Sequence, residues 1–214
     1  VRLTIVYDNE VWPRGCRSDW GFACLVEAHG RTILFDTGAR GELLLENMGR
    51  LGVDPASVEE VVISHAHFDH TGGLPRFLEG NPVRVYVPAS CPEPRGAAEV
   101  VRVSGPLTVH EGIHLTGELG NVEQSLLVGT EGGLAVVVGC SHPGVGAILE
   151  SASALGRPSA LVGGLHGFGD LELLRGLDLV CPTHCTRHTQ EIAAAFPDTC
   201  VEGGVGRVIE VPGP

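Results

Sequence analysis

The segment Ser64-His65-Ala66-His67-Phe68-Asp69-His70-Thr71-Gly72-Gly73 places three histidines and a carboxylate within six residues, directly after the apolar run Val61-Val62-Ile63. Imidazole nitrogen and carboxylate oxygen are the donors that zinc, iron and manganese take from proteins. A strand is stiff and its end is fixed. A loop leaving it can therefore hold four ligating side chains around one small volume, and that density predicts a metal site.

The second half of the chain supplies more donors by repeating one phrase. Leu134-Ala135-Val136-Val137-Val138 ends in Gly139-Cys140-Ser141-His142, Ser159-Ala160-Leu161-Val162 ends in Gly163-Gly164-Leu165-His166, and Leu177-Asp178-Leu179-Val180 ends in Cys181-Pro182-Thr183-His184. A helical-looking run follows each one, at 144–155, 169–176 and 187–196. Carboxyl ends of strands in a layered α/β sheet share one edge, where loops build ligand sites. Six of the ten histidines, at 65, 67, 70, 142, 166 and 184, are therefore expected to converge there. A single histidine after a strand is usually structural; six with Asp69 are not. His29, His110, His114 and His188 fall in turns or exposed segments and receive no role. Cys140, Cys181 and Cys185 flank these histidines and could act as soft ligands, Cys185 being the best placed. Cysteine is also an ordinary small core residue, and packing is the expected role of all three.

The elements that must position these residues can be read from pattern. Residues 2–7, 22–28 and 32–35 read as strands, the last ending in Asp36-Thr37-Gly38. Leu43, Leu44, Leu45, Met48 and Leu51 form a helical stripe stopping at Gly49 or Gly52. Val61–Ile63 is a short buried strand, Gly73–Leu78 a helix and Pro82–Val87 another strand. The prolines and glycine of 88–99 make it a surface loop. Short antiparallel strands are expected over 100–115, and a hairpin over 125–138. Trp12 lies in the loop from Asp8 to Asp19 and Trp20 directly follows it; packing at a pocket rim is their simplest role.

Composition narrows the class. With 43% apolar and 19% charged residues the chain is globular, and all 14 of its basic residues are arginine. A net charge of −12 argues against nucleic acid or an anionic membrane as partner. No signal-like segment opens the sequence, no apolar stretch approaches bilayer length, and the seven cysteines form no C-x-x-C pair. A cytoplasmic protein with reduced thiols is expected. No linker-like composition divides residues 1–214 and both halves contribute donors, so one domain is expected.

His65-x-His67-x-Asp69-His70, then His142, then a late histidine, all preceded by Phe35-Asp36-Thr37-Gly38, resembles the metallo-β-lactamase superfamily across nearly the whole chain. The resemblance implies an α/β fold, a four-layer αββα sandwich with the metal site at one sheet edge. It implies two divalent ions, zinc with iron or manganese as alternatives: one at His65, His67 and His142, the other at Asp69, His70 and His184. Tyr7-Asp8-Asn9, Gly139–Gly144, Gly163–His166, Cys181–Thr186 and Gly203–Gly206 further resemble the branch named for a dihydropterin-linked ribofuranosylaminobenzene-phosphate synthase. Most superfamily members carry a bridging aspartate near position 166, and this chain has His166. A neutral imidazole offers one free lone pair and cannot bridge.

Two divalent cations facing Asp69 as their one carboxylate form a positive centre that attracts anions. The expectation is thus a metal-dependent hydrolase or pterin-linked synthase acting on a phosphorylated or anionic small molecule. Asp69 and His166 are the candidate proton carriers. Asp36 is read as orienting a ligand histidine, and the Gly203–Gly206 run as a weak candidate phosphate wrap. A non-catalytic metal- or pterin-binding module is the alternative, and a di-iron redox protein ranks below it.

Overall fold

The computed structural model describes residues 1–12 and 15–213. In the first sheet the strand order is β13 (Val208–Glu210), β1 (Arg2–Tyr7), β2 (Ala23–Ala28), β3 (Arg31–Phe35), β4 (Glu60–Val62), β5 (Arg84–Pro88), β6 (Glu99–Val103). In the second it is β12 (Leu179–Thr183), β11 (Pro158–Gly164), β10 (Gly133–Val138), β9 (Leu126–Thr130), β8 (Ile113–Leu115), β7 (Leu107–His110). Strands β3 to β6 run parallel to one another, as do β10 to β12. Their carboxyl ends therefore gather at common edges.

The sequence dictates this layering because its strands are apolar on both faces. In β10, Ala135 and Val137 point into the core between the sheets, while Leu134, Val136 and Val138 point outward under helices. In β5, Tyr86 faces the other sheet and Val85 and Val87 face outward. A strand whose two faces are both apolar must be covered twice, so helices are needed outside each sheet. Helix α1 (Gly41–Arg50) covers the first sheet with Leu43, Leu44 and Met48, keeping Glu46 and Arg50 paired in solvent at 2.8 Å. It stops where Gly52 takes a left-handed φ of 72°. The short helix α2 (Phe68–Thr71) and α3 (Leu74–Gly80) follow β4. Helices α4 (Val145–Ser153) and α5 (Thr189–Ala195) cover the second sheet. This is the αββα sandwich.

Three local expectations change. The histidine segment is not all loop: Asp69 and His70 sit on the helical turn of α2. Residues 169–176 give only a 3₁₀ turn at Leu171–Leu174, since a run closed by Gly169 and Gly176 is too short to propagate an α-helix. Strand β6 is not part of an antiparallel set; it pairs parallel to β5 at the edge of the first sheet, while β7 and β8 form an antiparallel pair in the second. The loop after β5 does lie at the surface, but it buries Cys91 against the outer core of the first sheet. No described helix is long and apolar enough to cross a membrane.

Candidate metal centre

Five turns meet at one edge of the sandwich. Residues 64–70 leave β4, Asp36 leaves β3, Cys140 to His142 leave β10, His166 follows β11 and His184 follows β12. Four of these turns use a left-handed non-glycine residue: Asp36 (φ 58°), Ser141 (φ 59°), His166 (φ 49°) and His184 (φ 49°). Such backbone is costly for a side chain and persists where the surroundings enforce it. Here it reverses the chain abruptly at the strand end and aims the following or resident side chain into the site.

The turn around His70 is clamped from beneath. Thr37 donates through both its N–H and its hydroxyl to the His70 carbonyl, and Gly73 donates to the Gly38 carbonyl. A Cβ on Gly72 would collide with the Ala39 carbonyl oxygen, and one on Gly73 with that of Thr37. Thr71-Gly72-Gly73 therefore carries glycine because the Asp36-Thr37-Gly38 turn packs directly against it.

The atoms behind the histidines decide which nitrogen each one offers. Asp36 accepts from the Ser64 N–H at 2.7 Å, the Ser64 hydroxyl at 2.6 Å and His70 Nδ1 at 2.7 Å. With its proton given to Asp36, Ser64 Oγ accepts from His65 Nδ1 at 2.9 Å. Asn9 Oδ1 accepts from Gly21 N–H and from His184 Nδ1 at 3.0 Å, while its amide donates to the His184 carbonyl. His65, His70 and His184 are thus protonated on Nδ1 and present Nε2 lone pairs. Those of His142 and His184 are buried without a hydrogen-bond partner. His65 Nε2 lies 3.0 Å from His67 Nδ1, close to the roughly 3.3 Å between two nitrogens on one tetrahedral zinc ion.

The rings pack in one continuous group: His65 with His70, His67 and His142 at 4.2–4.8 Å, His70 with His184 at 5.0 Å, and His142 with His166 at 5.2 Å. Burial pushes His65 and His70 well below the usual imidazole range, and the neighbouring imidazoles push the same way. Neutral imidazoles are the form a cation needs. Asp69 Oδ2 lies 3.3 Å from His184 Nε2 and 3.8 Å from His70 Nε2.

Three further carboxylates stand just behind the donors. Burial pushes Asp36 up to about 8, Glu123 up to about 7 and Asp8 up to about 6, each against hydrogen bonds that favour the charged form. Glu123 Oε1 accepts from the N–H groups of Gly139, Cys140 and Ser141, and its Oε2 from that of His142. Asp8 accepts from the N–H groups of Asn9, His184 and Gly204. Buried carboxyls that a nearby positive charge would return to the ionised form, set around neutral imidazoles with unfilled lone pairs, fit a cationic centre.

All the sequence-nominated residues are brought to this edge. His65, His142, His70 and His184 fall in compact donor groups, Asp69 joins the His70–His184 pair, and His67 and His166 stand exposed at the rim. Cys181 is fully buried between the sheets, in the packing role expected of it. Glu123 and the Asp8–Asn9 brace are functional supports that spacing does not reveal, although Tyr7-Asp8-Asn9 is one of the motifs carrying the branch resemblance. In the Gly203–Gly206 run these N–H groups are taken up within the chain and not free for a phosphate: Gly204 donates to the Asp8 carboxylate, and Val205 and Gly206 to the carbonyls of Glu10 and Ile5. A cleft of about 620 Å³ lies against His184, lined by Asn9, Trp12, Thr183 and Gly203, and another of about 290 Å³ lies between His142 and His166. Trp20 is 53% exposed with its ring 5.1 Å from that of His184, and Phe68 is 67% exposed on the histidine turn.

A double-sheet sandwich with a histidine-rich donor edge defines a class of metal-binding proteins. Residues 21–184 match the metallo-beta-lactamase superfamily, and the chain belongs to it. It is 28% identical to the 7,8-dihydropterin-6-methyl-4-(beta-D-ribofuranosyl)-aminobenzene-5'-phosphate synthase of Methanocaldococcus jannaschii, over 84% of this chain and 83% of the relative. Among solved structures it is similar to a metal-dependent hydrolase of the beta-lactamase superfamily, at 25% identity and a TM-score of 0.82, with 99% of both chains covered. A zinc-bound PqqB from Methylobacterium extorquens shares the fold at 14% identity and a TM-score of 0.67, over 99% of this chain and 100% of that one.

Proposed function

We propose that the chain is a metal-dependent enzyme holding two divalent ions, zinc first among them, and acting on a phosphorylated or otherwise anionic small molecule. The observation that carries this reading is the set of fixed tautomers: braces behind His65, His70 and His184 turn lone pairs inward, and those of His142 and His184 are buried without a hydrogen-bond partner. One ion would be held by His65, His67 and His142, the other by Asp69, His70 and His184. Such ions supply water activation near neutral pH and polarisation of a phosphoryl or carbonyl oxygen.

The remaining roles belong to the chain's own residues. His166, exposed at the rim beside His142, is placed to exchange a proton with a leaving group. Asp69 holds a second proton-accepting oxygen against His184. The clefts have the dimensions of small-molecule sites. Exposed Trp20 and Phe68 suit a flat ring, in keeping with the pterin and aminobenzene named for the relative, and the phosphate in that name suits a cationic centre. Hydrolysis and the synthase reaction are both compatible with this arrangement. The acidic chain disfavours nucleic acid and anionic membranes as partners, and the free thiols of Cys24, Cys91, Cys140, Cys181, Cys185 and Cys200 suit a reducing compartment such as the cytoplasm.

The test is chelation. Stripping metal should abolish turnover across a panel of phosphomonoesters, cyclic phosphodiesters, lactones and thioesters, and added zinc or manganese should restore it. Full activity in the metal-free protein would end this reading.

A further inference from the structure

One donor at the centre has no role in the scheme above. Cys140 Sγ groups with the ring nitrogens of His65 and His142, and equally with those of His70 and His184; within each group the donor atoms lie within 4.8 Å of one another. Cys140 is 4% exposed, and its sulfur stands 3.3 Å from His70 Nε2. On either side are the Nε2 atoms of His142 and His184, buried without a hydrogen-bond partner, the side chain of His184 being wholly inaccessible.

We propose that Cys140 is a metal ligand whose thiolate sulfur is shared between the two donor groups. The proposal rests on the metal-centre reading above and deepens it. A sulfur and a nitrogen bound to one tetrahedral zinc ion, at about 2.3 Å and about 2.0–2.1 Å, lie roughly 3.5 Å apart. The observed 3.3 Å fits that separation. Two neighbouring cations repel, and an anion between them offsets that repulsion. His166 cannot serve, since its imidazole has one free lone pair. Asp69 lies to one side, against His70 and His184. A thiolate sulfur has the negative charge and the spare lone pairs to face both groups.

The backbone is built to hold this sulfur still. Glu123 grips the N–H groups of residues 139–142, so the Cys140 Cα is fixed by four hydrogen bonds. Because His70 Nδ1 donates to Asp36, its Nε2 accepts, and the Cys140 S–H is the donor in the metal-free chain. On loading, Cys–SH and M²⁺ give Cys–S⁻–M²⁺ and one proton released to solvent; nothing is oxidised or reduced. Cys185 groups with Cys140 and His166 and its sulfur hydrogen-bonds that of Cys140, but it belongs to neither the His65–His142 nor the His70–His184 group. It provides the control.

X-ray absorption on the zinc-loaded full chain tests the assignment. The expected spectrum contains a sulfur scatterer at about 2.3 Å beside nitrogen and oxygen at about 2.0–2.1 Å. Cys185→Ser should keep that scatterer. Cys140→Ser should remove it and weaken zinc binding at least about tenfold. A wild-type shell of nitrogen and oxygen alone, or a sulfur signal lost in Cys185→Ser, overturns the proposal while leaving the metal centre intact. Protein that retains no zinc at all overturns the metal-centre reading and this proposal with it. Should Cys140→Ser fail to fold, the wild-type and Cys185→Ser spectra decide the matter alone.

Discussion

Asp36 reaches two histidines at once, His70 directly and His65 through the Ser64 hydroxyl. Replacing it with asparagine keeps the size but places an amide N–H₂ where one of its donors must be accepted, so at least one imidazole loses its tautomer. Asp36→Asn should therefore lower metal affinity by roughly 10- to 100-fold, the size of effect found for groups that orient ligands. Competition against a chromophoric chelator measures it, and unchanged affinity would contradict the orienting role. Asp69→Asn acts differently, removing a charged donor from the His70–His184 group, and should cost more activity than Asp36→Asn in the same assay. The histidines, Asp69 and Asp36 were legible in the sequence because their types are rare and their spacing from apolar runs places them at strand ends. Glu123 was not legible. It lies in Asn121-Val122-Glu123-Gln124, where no periodicity marks it, and its role exists only once β9 and β10 bring it beneath the 139–142 turn. Cys140 was visible as a candidate, but its place between two donor groups depends on distances that no spacing encodes.

The turns after the strands are held by buried carboxylates rather than by regular hydrogen-bonded structure. Glu123 supports the turn after β10, and Asp8 the one after β12. Glu123→Ala would leave four N–H groups unsatisfied, three of them buried. At about 1–3 kcal/mol for each such loss, discounted for water entering the vacated space, destabilisation of at least about 3 kcal/mol is expected. Urea unfolding measures this, and a loss under 1 kcal/mol would show that the turn does not depend on Glu123. The loop after β1 is tethered differently. The Tyr7 phenol, buried against the Asp36–Gly38 turn, donates to Asp19 at 2.9 Å, and Arg40 pairs with the same carboxylate. Burial, reinforced by Asp19, pushes Tyr7 from 10.0 up to about 12. Below pH 10 the phenol is neutral in both states and contributes its full stability. Between about pH 10 and about 12 the unfolded chain ionises first, so stability falls as pH rises through that window. Tyr7→Phe should flatten this part of the urea-midpoint profile against pH, and an unaltered slope would place the alkaline loss elsewhere. Strands apolar on both faces announced themselves in the sequence. The parallel pairing of β6 did not, because a short edge strand carries no mark of its direction.

Each proposed donor group draws on both halves of the sandwich. His65, His67, Asp69 and His70 follow β4 of the first sheet, whereas His142 and His184 follow β10 and β12 of the second. The sheets meet chiefly through apolar side chains such as Phe35, Val62, Leu126 and Val137, a contact that is strong but undirected, with a few polar links such as His110 to Glu60 at 2.7 Å away from this edge. An ion held from both sides adds a directional link at one edge, and unfolding must break it. Ligand that binds only the folded chain stabilises it by about 2.7 kcal/mol at a free concentration of 100 times Kd. Zinc loading should accordingly raise the thermal midpoint by several degrees, and chelator should reverse the gain. Hydrogen exchange locates the effect: protection should rise together at residues 64–70, 139–142 and 183–185, on turns from both sheets. A rise confined to 64–70 would mean that the ion sits on the first sheet alone and that His142 and His184 are not ligands. Because Asp36 acts on His65 and His70 only, Asp36→Asn should shrink the zinc-induced shift without lowering the midpoint of the metal-free chain by the same amount. That separation distinguishes an orienting carboxylate from one that merely packs.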